Sequence, residues 1–324
     1  MKVSVIIPAL NAEAYVKRGM ETALSAVSDL NEDWEIIAVD NQSTDGTLAH
    51  LNRFADRFPN KVRVLICPVP GAAAARNFGV QRSTGQWLQF LDIDDTLAPG
   101  KISGQLEMAG QAAWVIGGYQ HVHTDGSLEN VLPNHDLWKG LFHNFRTGCT
   151  HSNLIRRDAL EAIGGWNEKL SCNQDPDVHF RLLRQSVPYV IDSRILSFYH
   201  HHDSEARVTA TAPRTYYTLR EQLLLNARLH LESAYPLYWR ENKPFFLGAI
   251  LKEICRLATY DLPAAHLAYI RHFKIGEGAR QPRQLPIVSR YTRLYPYLGF
   301  RNVEALRLLL ARVLPEGLKA RLKG

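Results

Sequence analysis

The first hundred residues switch repeatedly between two hydrophobic periods. "KVSVIIPAL" (residues 2–10) is a β-branched apolar run reaching Pro8, and it reads as a strand that starts at once. In "EAYVKRGMETALSAVS" (residues 13–28), Tyr15, Val16, Met20, Ala23, Leu24 and Val27 recur at helical spacing. "WEIIAVD" (34–40) predicts a second strand, and "STDGTLAHLNRFADRF" (43–58) opens on cap-type residues before a helical pattern. "VRVLICP" (62–68) is a third strand, residues 72–82 a helix, and "QWLQFLD" (86–92) a fourth strand. Strands and helices alternating at this spacing predict an α/β fold, a mostly parallel sheet flanked by helices. After about residue 205 the strand signal fades. Residues 214–232, 242–259 and 302–313 are predicted helical, with proline-containing breaks near 263, 282–286 and 296. The expected organisation is an α/β domain over residues 1–205 and a helical extension over 206–324.

In open α/β sheets, ligands bind beyond the carboxyl ends of the strands. That rule puts Pro8 and Ala9, Asp40 and Asn41, and Asp92 to Asp95 along one rim. The last group is the most informative. An apolar run, Trp87 to Leu91, delivers Asp92, Asp94 and Asp95 within four positions. Carboxylates that close raise one another's pKa unless a cation lies among them. A hard divalent ion suits such oxygens, with Mg²⁺ taking one or two carboxylates plus phosphate oxygens and water. Taken alone, "DIDD" fits an ion-free acidic turn or helix cap equally well.

Composition narrows the setting. With 46% apolar and 22% charged residues, the chain of 324 residues has the make-up of a globular protein. No run is long enough for a membrane span, and "MKVSVIIPAL" is too short and weakly flanked for a signal peptide. Cys67, Cys149, Cys172 and Cys255 form no close pair, so a reducing cytoplasm without structural disulfide or zinc is expected. The net charge of +6 is unevenly spread. Residues 1–204 hold 18 Lys/Arg against 23 Asp/Glu, and residues 205–324 hold 20 against 9. Two surfaces of opposite sign imply different partners.

"VSVIIPALNAEAYV", "WEIIAVDNQSTDGT", "GAAAARNFGVQRSTGQWLQFLDIDD", "GGWNEKL" and "NQDPDVHFRLL" occur in an order that resembles family 2 glycosyltransferases of the GT-A fold, over roughly residues 1–205. The resemblance implies sugar transfer from a nucleotide-diphosphate sugar to an acceptor hydroxyl, with inversion and a divalent metal, Mn²⁺ or Mg²⁺. It places Asp95 on the metal and Asp94 near the metal or ribose. Pro8, Ala9, Asn11 and Asp40 would line the donor. Asn41 stands where relatives more often have an acid that accepts the uracil N3–H. An Asn oxygen still accepts that bond, so a UDP-linked donor is expected while the base stays open. Arg76 would meet phosphate or ribose oxygens. Asp175 would be the catalytic base, following Gln174 where the family usually has Glu. Asp177 would instead pair with Arg181 four residues on. Trp166 could stack on an acceptor sugar or fill the core. In "SFYHHHDSEARVT", His202 is favoured over His200 and His201 to complete the metal shell, and the alternative is a solvated histidine cluster. Arg207 could join the phosphates.

In the tail, Arg290, Arg293, Arg301, Arg307, Arg312, Lys319, Arg321 and Lys323 alternate with Tyr, Leu and Phe. That pattern suits a helix on an anionic membrane surface, an ordinary helical subdomain, or a self-association surface. No nucleic-acid recognition motif is present. Contact with the inner face of the membrane would fit a lipid-linked acceptor in cell-surface polysaccharide synthesis. Two rival readings remain. A sugar-phosphate nucleotidyltransferase would need a Gly-rich, basic loop after the first strand, and "PALNAEAY" has no glycine. A non-catalytic glycan-binding scaffold would account for Asn41 and Gln174.

Overall fold

The computed structural model describes residues 2–30, 34–143, 146–202, 212–273 and 290–313. The chain divides into two compact units, Met1–Ser204 and Glu205–Gly324.

In the first unit the alternation becomes β1 (Val3–Ala9), α1 (Glu13–Val27), β2 (Trp34–Asp40), α2 (Thr47–Arg57), β3 (Val62–Ile66), α3 (Ala72–Arg82) and β4 (Trp87–Phe90). Strands β3, β2, β1 and β4 lie side by side and parallel. Every residue of β1 is buried, which is why its sequence is a continuous apolar run rather than an alternating one. Beyond β4 follow β5 (Thr96–Leu97), α4 (Lys101–Ala109), β6 (Trp114–Val122), β7 (Leu128–Val131), α5 (Leu137–Phe142), β8 (Leu154–Arg156), α6 (Arg157–Ala162), α7 (Gln174–Arg184) and β9 (Tyr189–His200). The sheet runs β3-β2-β1-β4-β8-β6-β9-β5, with β7 on β6. Its second half is mixed: β8 is antiparallel to both β4 and β6, and β9 is parallel to β6. Short strands such as β5 and β8 carry too few residues to show a period, and β6 has Gly117 and Gly118 in its middle where the register with β9 shifts.

One close approach fixes the acidic turn. Helix α1 buries Val16, Gly19, Met20, Ala23, Ala26 and Val27. A Cβ at Gly19 would lie 2.3 Å from the carbonyl oxygen of Ile93, so only glycine lets α1 press against the turn that bears the aspartates.

The second unit is helical: α8 (Pro213–Ala234), α9 (Pro236–Ala258), α10 (Leu262–Phe273), a 3₁₀ turn (Arg290–Leu294), α11 (Tyr295–Leu298) and α12 (Phe300–Val313). Helix α9 starts earlier than predicted and runs through Pro244. Its first residue, Pro236, suits a helix start because the missing N–H would have no partner there. The break expected near 263 is instead the first turn of α10, where Pro263 is tolerated for the same reason. Among the described residues, no helix is long and apolar enough to cross a membrane.

Candidate active site

The loops after β1 and β2 are laced together at the carboxyl rim. The Asn41 N–H donates to Ala9 O (2.8 Å). Asn11, in the left-handed region at φ 47°, accepts from the Thr44 N–H (2.8 Å) while its own N–H donates to Ser43 Oγ (3.0 Å). Pro8 and Ala9 contribute buried strand backbone to this rim. Asp40 is buried. One of its oxygens accepts from the Ser43 N–H (3.2 Å), while Oδ1 has no partner. A buried acceptor left unpaired is costly, which marks Asp40 Oδ1 as an unsatisfied acceptor of this rim.

Asn41 has a second duty. Its Nδ2 donates to Val69 O (2.7 Å) and its Oδ1 accepts from the Gly71 N–H (2.7 Å). The side chain pins the segment leading into α3, where Gly71 takes a φ of 117°. An Asn fits because the segment offers one acceptor and one donor.

Arg76 on α3 is buried rather than displayed. Its guanidinium donates to Asp92 Oδ1 (2.6 Å) and Gln174 Oε1 (2.9 Å), and lies 4.5 Å over the Trp166 ring. Burial works against its charge, but Asp92, Asp175 and Asp94 outweigh that and hold its pKa above the ordinary value. Much of the cation sought by the acidic turn is thus built in. Trp166 is only 3% exposed and packs edge-on against Phe90 (5.1 Å). Of the two roles open to Trp166, stacking on an acceptor sugar or filling the core, its burial fits the second, and the ring forms a shelf beneath Arg76.

The three aspartates of the turn separate by environment. Asp95 points inward with a side chain 3% exposed. Its Oδ1 accepts from the His200 N–H (2.9 Å) and its Oδ2 lies 3.1 Å from His151 Nδ1. Burial raises the pKa of Asp95, with His151 opposing. Burial also disfavours charge on His151, but Cys149 and Asp95 lift its pKa well above the usual value. Asp94 is more open. Its Oδ2 lies 2.8 Å from His202 Nε2, and its carbonyl accepts from Arg18 (2.5 Å). His202 packs against Tyr15 (5.2 Å), and its Nδ1 has no partner. The other two histidines are engaged elsewhere, His200 with Thr96 Oγ1 (2.8 Å) and His201 with His121 (2.9 Å). Arg207 lies outside the described residues.

Asp94 and His202 therefore fit a Mg²⁺ or Mn²⁺ ion whose shell is completed by phosphate oxygens and water, as such ions prefer. Asp95, expected on the metal, has both oxygens turned to protein partners and instead fastens β9 and the His151 loop to the turn. Among the described residues, no three His, Cys, Asp or Glu groups converge into an all-protein metal cage.

Asp175 sits in the first turn of α7, after Asn173 at φ 57°. Thr150 Oγ1 donates to its Oδ1 (2.5 Å). Burial raises its pKa from the ordinary aspartate value, with Arg76 and Thr150 pulling the other way. Asp177 pairs with Arg181 (2.6 Å), as its i,i+4 spacing predicted. Gln174 accepts from Arg76 and donates to Leu170 O (2.7 Å), so the amide shares the guanidinium with Asp92.

Several supports were not legible. Gln89 donates to His151 O (3.0 Å), and the buried Lys101 bonds Gln89 Oε1, burial pushing the lysine pKa down to about 7. Thr150, His151 and Lys101 carry no motif. Thr150 and His151 are revealed only by their contacts with Asp175 and Asp95, and Lys101 by its bond to Gln89.

A parallel half-sheet with an acidic turn at its rim, joined to a mixed half, is the arrangement of the GT-A fold. Residues 4–164 match Glycosyl transferase family 2, and through them the chain belongs to that family. It is 29% identical over 211 residues to an uncharacterized glycosyltransferase of Rickettsia felis, covering 60% of this chain and 33% of that protein. It is 26% identical over 151 residues to the Escherichia coli protein UDP-Glc:alpha-D-GlcNAc-diphosphoundecaprenol beta-1,3-glucosyltransferase WfgD, covering 45% of this chain and 57% of that one. The match thus spans about a third of the first protein and somewhat over half of the second. In fold, the chain is similar to S. aureus TarS 1-349 in complex with UDP-GlcNAc, at a TM-score of 0.60 and 16% identity over 94% of this chain and 91% of that one.

Proposed function

We propose that the protein is an inverting glycosyltransferase, moving a sugar from a nucleoside-diphosphate sugar, expected to be UDP-linked, to a hydroxyl of a glycan or lipid-linked acceptor in cell-surface polysaccharide synthesis. One observation carries the reading. Arg76 bonds Asp92 on the acidic turn and Gln174 beside Asp175, so a single buried cation ties the donor end of the site to the base. The UDP-GlcNAc in the TarS complex supports the donor class, and the diphosphoundecaprenol in the WfgD name supports the acceptor class.

Asp40 Oδ1 accepts from the nucleoside. Asp175 takes the proton of the acceptor hydroxyl as that oxygen bonds the anomeric carbon from the face opposite the diphosphate. The bond from that carbon to the diphosphate oxygen breaks, and its electron pair leaves with the nucleotide. A raised pKa makes Asp175 a stronger base than an ordinary carboxylate. A divalent ion on Asp94 and His202 would neutralise charge on the leaving diphosphate. Arg76 meanwhile keeps Asp92 compensated from below. Asn41 and Gln174, which motivated a non-catalytic reading, both make scaffolding bonds here and so give that reading no support.

The test is a thermal-shift screen of UDP, GDP, dTDP and CMP sugars with Mn²⁺, followed by turnover of the stabilising donor. Asp175→Asn should keep the donor-induced shift and lose turnover by roughly 10²- to 10⁴-fold, the usual worth of a positioned base. Undiminished turnover in that variant removes Asp175 from the mechanism. If no nucleotide sugar raises Tm in any form, the proposal fails.

A further inference from the structure

The segment from Arg290 to Val313 in the second unit distributes its charge and apolar surface unusually. Its one acid, Glu304, is fully buried. Tyr295 Oη donates to Glu304 Oε1 (2.5 Å), and Arg307 Nε donates to its Oε2 (2.8 Å). The cations Arg293, Arg301 and Arg312 are all exposed. Beside them lie large apolar side chains in water: Leu294, Tyr297 at 84% exposure, Leu298, Leu306, Leu309 at 57% and Val313 at 67%. Along α12, Leu306, Leu309 and Val313 recur at i, i+3 and i+7 and so form one stripe. The buried positions Phe300, Val303 and Glu304 occupy a different face, and Arg301 and Arg312 flank the stripe one turn-step away. Asn302 lies on the same stripe and donates to Leu298 O (2.9 Å), which brings the exposed Leu298 to its start.

We propose that this face docks on an anionic lipid bilayer, with Tyr297, Leu298, Leu306, Leu309 and Val313 at the headgroup boundary and Arg293, Arg301 and Arg312 on the lipid phosphates. An apolar stripe bordered by cations, with no exposed acid, matches such a surface in charge and in polarity. A second copy, whose first unit is net acidic, would have to seat acids in register with these arginines and apolar side chains with the stripe, whereas an anionic bilayer offers both everywhere on its surface. Burying the acid also matters. Glu304 in water would repel the same phosphates, but tied to Tyr295 and Arg307 it leaves the face purely cationic. The proposal stands independently of the sugar-transfer reading, because it is read out by binding rather than turnover.

The experiment is co-sedimentation of the full chain with phosphatidylglycerol-rich vesicles and with pure phosphatidylcholine vesicles, over a salt series. The wild-type protein should bind the anionic vesicles, ignore the neutral ones and dissociate as salt rises. Leu306→Glu/Leu309→Glu should lose binding by at least about tenfold. Arg301→Glu/Arg312→Glu should lose at least about fivefold for each arginine, the worth of one basic residue at an anionic surface. All four positions are exposed or flank exposed ones, and circular dichroism verifies that helix content is kept. Tyr297→Ala/Leu298→Ser provides a second apolar test outside α12, expected to weaken binding in the same direction. Vesicle binding unchanged in all three double variants overturns the proposal. So does wild-type protein that ignores anionic vesicles yet forms a dimer that Leu306→Glu/Leu309→Glu dissociates, which would assign the face to a second copy.

Discussion

Asn41 shows how one atom's identity is set by its neighbours. The family resemblance implies an acid at this position, yet here Asn41 Nδ2 faces a carbonyl, Val69 O, at 2.7 Å. Asn41→Asp would set a carboxylate oxygen against that carbonyl while keeping the bond from the Gly71 N–H. It should cost about 1–2 kcal/mol at neutral pH, the price of a buried acceptor without a donor. Denaturant unfolding at neutral and mildly acidic pH checks this, since a protonated Asp can donate and should recover part of the loss. Equal stability at both pH values would show that the 68–71 segment re-forms around the acid. The same logic separates the aspartates of the turn. From sequence, Asp92, Asp94 and Asp95 are three equivalent acids, and Asp95 was expected on the metal. In the fold, His151 and the His200 N–H claim Asp95, and the more open Asp94 meets His202. Asp40 and Asp175, by contrast, stand out in the sequence already, Asp40 through the strand-end rule and the family resemblance, and Asp175, on a helix, through the resemblance alone.

At the scale of elements, the site depends on contacts that join one element to another rather than on any single loop. Helix α1 reaches the acidic turn through Gly19, and Arg18 next to it holds Asp94 O. Gly19→Ala would force a Cβ into the Ile93 carbonyl, which is backbone and cannot rotate away. The expected outcome is a loss of about 1–3 kcal/mol, typical of overpacking, with weakened Mn²⁺-dependent nucleotide binding as the turn shifts. Chemical denaturation and a nucleotide titration measure the two effects. A variant with wild-type stability and affinity would mean that α1 slides at no cost. Arg76 likewise links α3, β4 and α7 through Asp92, Gln174 and Trp166. Arg76, expected on phosphate or ribose, and Trp166, expected on an acceptor sugar or in the core, are thus turned by packing towards each other.

Across the whole first unit, buried histidines couple the fold to pH in opposite directions. His179 is held neutral between Thr147 Oγ1 (2.9 Å) and Asn153 Nδ2 (2.9 Å), and burial pushes its pKa down to about 3 from 6.5. Because the folded pKa is depressed, the unfolded chain binds a proton below pH 6.5 that the folded chain refuses, and stability falls as pH drops through that window. The slope from this residue is at most about 1.4 kcal/mol per pH unit. His151 acts the other way: its raised folded pKa adds stability at low pH that is lost as pH rises above 6.5. His179→Gln should therefore flatten the acid limb of a stability-versus-pH curve relative to wild type, and an unchanged slope would count against a neutral, buried His179. None of this pH behaviour is visible in the sequence, where nothing around His151 or His179 shows that either is buried or what it bonds. The sequence by itself determined the parallel half-sheet, the helices, the acidic rim and the uneven charge, because hydrophobic period, strand-end position and composition are local properties. Only the tertiary structure decided which carboxylate is open, which cation is buried and which face of α12 stays in water, because solvation and partners come from residues far apart in the chain.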